Sequence, residues 1–185
     1  MPGVTRYHPV LVPLHWLLAV LILGALAVGF FVLEPMANTA PGKVDVLRLH
    51  MAGGMLVLAL MSVRLVVRVL TVGAAPAATP YPVLDRLAPL ARIAFYVLIV
   101  LMVATGYATG LIAGLPDIVF GRSGAPLPAT FEQYPTFIAH GLLAGLLATL
   151  VAVYVLAALY HQFRRHDEPF RRMGFGRRTP ASAGA

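Results

Sequence analysis

Four histidines lie within or at the ends of apolar stretches: His15, His50, His140 and His161. A neutral imidazole offers one nitrogen lone pair to a metal, while a hydrogen bond from the other nitrogen fixes the tautomer. Inside a bilayer an ionisable side chain is costly, so its presence points to function. The two remaining histidines read differently. His8 precedes a proline in a polar terminus and His166 sits among tail charges, so both are expected to be solvated.

The elements that must position these imidazoles follow from composition. The chain of 185 residues is 59% hydrophobic and 11% charged, with a mean hydropathy of +0.84. Soluble domains carry about a quarter charged residues. Four apolar runs, 10–33, 49–70, 87–114 and 136–161, each reach the roughly 20 residues needed to span a bilayer. The first is too long for a signal-peptide core and is expected to be a retained helix. Connections between runs are short, so the expectation is an all-α integral membrane bundle with sequence neighbours antiparallel. Residues 1–175 form one domain in this reading, and 176–185 a disordered tail of basic and small residues.

Charge sets the orientation. Six arginines follow His161, and with Arg6, Arg64, Arg68, Arg86 and Arg92 they put eleven of the 14 cations on one side. Lys43, Arg48 and Arg122 occupy the other. The positive-inside rule then places both termini in the cytoplasm. The net charge of +7 is juxtamembrane in distribution and gives no reason to expect nucleic acid. The absence of cysteine excludes disulfides, thiolate metal sites and covalent C-x-x-C-H haem attachment, so any haem is held non-covalently.

His50 and His140 open the second and fourth runs on the outer side, at matching depth. Two imidazoles facing each other across a bundle suit the axial positions of a haem iron. Gly53, Gly54, Gly141 and Gly145 lie within about a turn or so of these histidines; they fit space for a macrocycle and, equally, close helix packing. At 1.5 Å per residue His15 lies about 27 Å from the outer end of its helix, Tyr154 about 27 Å and His161 about 37 Å. Depth therefore pairs His15 with Tyr154 rather than with His161. Arg48, Arg64 and Arg68 are candidate partners for haem propionates, since guanidinium matches carboxylate, and equally serve as interfacial anchors.

Leu14-His15-Trp16, Leu49-His50-Met51-Ala52-Gly53-Gly54, the continuation Val63-Arg64-Leu65-Val66-Val67-Arg68, then Tyr96, Gly106 and His140, occur in this order. In them the chain resembles the bacterial cytochrome b561 family, small four-helix di-haem membrane cytochromes, over nearly its whole length. The resemblance implies two haems b, the outer on His50 and His140 and the inner on His15 and a further histidine of the fourth helix. Tyr154 stands at that last position. The inner haem is then lost, five-coordinate on His15, ligated by Tyr154, or ligated by His161; the sequence leaves these open.

The resemblance also implies a protein of the bacterial inner membrane. It would pass electrons from an outer-face donor, superoxide in the best-described relatives, to ubiquinone and the quinone pool. Lys43, Arg48 and Arg122 are the cations available to attract an anionic radical, against Glu34, Asp45, Asp117 and Glu132 on the same side. The alternative within redox chemistry is a b-type anchor subunit serving a partner dehydrogenase or hydrogenase. An alternative of another class is a haem-free transport protein using its histidines for proton or metal passage. The lack of acidic residues within the spans weighs against a proton relay.

Overall fold

The computed structural model describes residues 8–71, 82–160 and 163, with 82–88 as backbone alone. Its elements are helical throughout. Helix α1 is Leu11–Val28 and continues through a π-helical turn, Gly29–Leu33. Helix α2 is Lys43–Leu70 and α3 is Pro82–Ile112; a second π-helical turn, Pro116–Phe120, precedes α4, Pro135–Tyr160. All four helices are long and apolar enough to cross a membrane.

Helix is what this composition permits in a bilayer, where every backbone polar group must be satisfied within its own segment. The hydroxyls obey the same constraint. Ser62, Thr71, Thr105, Thr109 and Thr149 each return to the carbonyl four residues earlier, at 2.7–2.9 Å. Large side chains such as Phe31, Val69 and Leu70 are turned outward, giving the bundle the apolar surface that lipid requires.

Helices α2, α3 and α4 begin earlier than the apolar runs suggest. Helix α2 starts at Lys43, after Gly42 in the left-handed conformation (φ 82°), and α4 at Pro135. His50 and His140 therefore do not open their helices; each sits in its second turn. The apolar count missed the first turns of α2 because Lys43, Asp45 and Arg48 are charged. Helix α3 ends at Ile112 and turns at Gly114, φ 67°. His161, His166 and the tail 176–185 lie outside the described residues.

Helix α1 packs on α2, α2 on α3 and α3 on α4. Two apolar clusters fill the bundle. One joins Leu18, Val57, Met61, Ile99 and Leu147, one or more from each helix; the other joins Leu47, Leu115, Val119 and Phe131 beneath the loops. That loop-covered end is fastened by two cations. Lys43, buried, donates to Leu33 O at 2.5 Å and Met36 O at 2.6 Å, capping carbonyls that the end of α1 leaves unpaired. Arg48 donates from Nε to Val119 O in the second π turn at 2.7 Å and pairs with Asp45.

Replacing Lys43 by Met, similar in volume, orphans two carbonyls at the α1 end. A loss of about 1–3 kcal/mol in stability is expected, read as a lower thermal midpoint in detergent. An unchanged midpoint would contradict the capping role.

Candidate functional site

His50 of α2 and His140 of α4 face each other, with ring centroids 6.2 Å apart and planes at 78°. Helix α3 sets the His140 ring. Its Nδ1 lies 3.0 Å from Met102 O, a carbonyl that can only accept, so the proton sits on Nδ1 and the Nε2 lone pair is left available. Thr105 Oγ1 lies 3.4 Å from the same nitrogen. Gly106 provides the clearance: a Cβ there would fall 2.9 Å from His140 Cε1 and 3.1 Å from Nδ1. One turn nearer the end, Thr109 Oγ1 and Thr136 Oγ1 meet at 2.8 Å and tie α3 to α4.

His50 is held less completely. Its Nδ1 is buried without a hydrogen-bond partner among the described residues. A buried polar atom of this kind signals a group that the protein itself does not supply. Gly29, in the π turn of α1, packs beside it, and a Cβ at that position would meet His50 Cε1 at 3.7 Å. π-Helical turns occur often at functional sites.

Around the two rings lies a cavity of about 440 Å³, bounded by residues of all four helices, within the usual range for small-molecule and cofactor sites. Ile22, Leu26, Met51, Val57, Ile99 and Leu147 form much of its apolar wall, and Glu34, Asn38, Lys43 and Glu132 stand at the loop end. The 6.2 Å between ring centroids leaves room for a metal ion that the two imidazoles would hold. No third His, Cys, Asp or Glu joins them among the described residues. A metal between these rings must bring its other donors with it, as the iron of a macrocycle does. The residues fit that group.

The other predicted positions are elsewhere. His15 packs edge-on against its neighbour Trp16, centroids 5.3 Å apart. Tyr154 stands edge-on to Phe95 at 5.5 Å. Arg64 donates to Tyr96 Oη at 2.7 Å, with its guanidinium 6.0 Å from the ring centroid. These residues belong to the half of the bundle away from the cavity: Arg64 follows His50 by about 21 Å along α2. Arg48 is bound to Asp45 and to the second π turn. Arg68 is half-buried in the last turn of α2.

Four membrane-length helices around a facing pair of half-buried imidazoles define a candidate b-type membrane cytochrome. A family model described as prokaryotic cytochrome b561 matches residues 6–176, and the chain belongs to that family. It is also 25% identical over 176 residues to cytochrome b561 homolog 2 of Escherichia coli (strain K12), spanning 91% of this chain and 90% of that protein. Membership implies b-type haem binding and a role in electron transfer within a bacterial membrane.

Met102 and Thr105 carried no signal in the sequence. Met102 contributes its backbone carbonyl, to which side-chain identity is indifferent, and a threonine in a helix reads as packing. Gly106 was visible only through resemblance. Substituting Gly106 by Ala is expected to displace His140 and lower haem b absorbance per protein several-fold. Gly110→Ala meets only the flexible end of Met51, at 3.3 Å, and should leave it unchanged. Equal absorbance in the two variants would contradict the clearance argument.

Proposed function

We propose that His50 and His140 are the axial ligands of a haem b, and that the protein carries electrons from a donor at the outer membrane face to ubiquinone. The 6.2 Å facing of the two rings inside the apolar cavity is the observation that carries this reading. Bound there, haem supplies one-electron chemistry; the chain supplies position, an apolar surrounding and the Met102 hydrogen bond that raises the basicity of the His140 nitrogen.

The orientation is the one the cations support: antiparallel neighbours, both termini cytoplasmic, in the bacterial inner membrane. The cavity and its loops then face outward. Of the cations at that end, Lys43 is committed to backbone carbonyls and Arg48 to Asp45 and Val119 O, while Arg122 is exposed. Electrostatic attraction of superoxide at this face therefore rests on Arg122 alone among the three, and superoxide as donor rests on family likeness. Pairing of haem propionates by Arg48 would require it to leave its present partners.

The test is haem per polypeptide in purified protein, with reduced-minus-oxidised visible spectra. Substituting either His50 or His140 by Ala is expected to remove the same haem, lowering the ratio by about one in each case. A full ratio and unchanged spectrum in either variant would remove that residue as a ligand.

A further inference from the structure

Lys43 opens α2, a helix long and apolar enough to cross a membrane, and its side chain is only 4% exposed. The ammonium donates to two neutral carbonyls, Leu33 O and Met36 O, and makes no ion pair among the described residues. Carbonyl dipoles solvate a cation without neutralising it, and a buried charge left without a counter-charge is costly. A charge on a membrane-length helix marks a functional site by default. An ammonium has three N–H donors, so one remains beyond the two carbonyls.

That donor belongs to a residue of the cavity wall. Lys43 lines the cavity around His50 and His140, and so does Leu47 between Lys43 and His50. Lys43 precedes His50 by seven residues, nearly two full turns, so the two share one face of α2 about 10 Å apart along its axis. A haem b between the histidines brings two carboxylates of its own, both on one edge of the macrocycle. We infer that Lys43 holds a haem propionate through its third N–H, which sets the carboxylate edge of the macrocycle toward the loop-covered end. The pairing supplies the counter-charge that the protein leaves out. The other cations of α2 fit this role less well. Arg48 is already bound to Asp45 and to Val119 O, and Arg64 lies about 21 Å from His50 along the helix. Glu34 and Glu132 stand at the same end of the cavity but are exposed, so water weakens their repulsion of a carboxylate. The pairing rests on the proposed ligation of haem by His50 and His140.

The test is resonance Raman spectroscopy of the haem-loaded full chain, read at the propionate bending band, whose frequency reports hydrogen bonding to the carboxylates. The band followed is the one lost with the haem in His140→Ala. Lys43→Gln keeps donors for the two carbonyls and removes the charge. It is expected to shift that band and to speed haem transfer to apomyoglobin at least about tenfold, the loss of one charge-assisted hydrogen bond. Lys43→Arg, which keeps the charge and a donor, should shift the band less and keep transfer slow, while Arg48→Gln should leave the band in place. A band unmoved by Lys43→Gln, or moved by Arg48→Gln instead, overturns the pairing. Where Lys43→Gln does not fold, Lys43→Arg decides, since a band identical to that of the wild type overturns the pairing as well. Absence of haem from the wild-type protein overturns the ligation itself, whereas haem held normally with a band indifferent to Lys43 overturns the pairing alone.

Discussion

The structure depends on how two imidazoles are kept in an apolar core without charges to balance them. For His140 the answer is a single hydrogen bond to Met102 O. It fixes the proton on Nδ1, leaves the other nitrogen's lone pair available and makes ring orientation a property of the α3 backbone. Gly106 lets α3 come close enough for that bond, and the Thr109–Thr136 contact holds the two helices in register. Among the described residues His50 has no such support, and its buried Nδ1 has no hydrogen-bond partner. The pair is thus half complete as protein chemistry, which is the condition expected of a site whose other half is a cofactor.

The two halves of the bundle differ in the same terms. At one end, loops, π turns, a buried lysine and an arginine clamp close over a cavity. Toward the other, Leu18 and Met61 continue the apolar cluster whose Val57, Ile99 and Leu147 also wall the cavity, with Phe95, Tyr96 and Val151 packed against it. There Tyr154 stands edge-on to Phe95, and Arg64 donates to Tyr96 Oη.

Much of the fold was legible in the sequence because a bilayer imposes so few solutions. A long apolar run must be a helix, and four such runs became four helices. The start of α2 was less legible, since a helix continues through charged turns such as Lys43-Val44-Asp45 that a count of apolar residues discards. The histidine pair was legible through matched depth: α2 starts six residues before its apolar run and α4 one, and His50 and His140 then lie seven and five residues into their helices. What fixes the pair was not: a carbonyl, a missing Cβ and a π turn leave little trace in residue type.

Ligation of one haem iron by both His50 and His140 is open to a spectroscopic test. Low-temperature electron paramagnetic resonance of the oxidised, purified protein tests it most directly, because the ferric spin state reports the axial ligands. Ligation by both histidines gives a low-spin signal characteristic of two imidazoles, lost on replacing His140. A high-spin signal in the wild-type protein, or a low-spin signal that persists without His140, would contradict it.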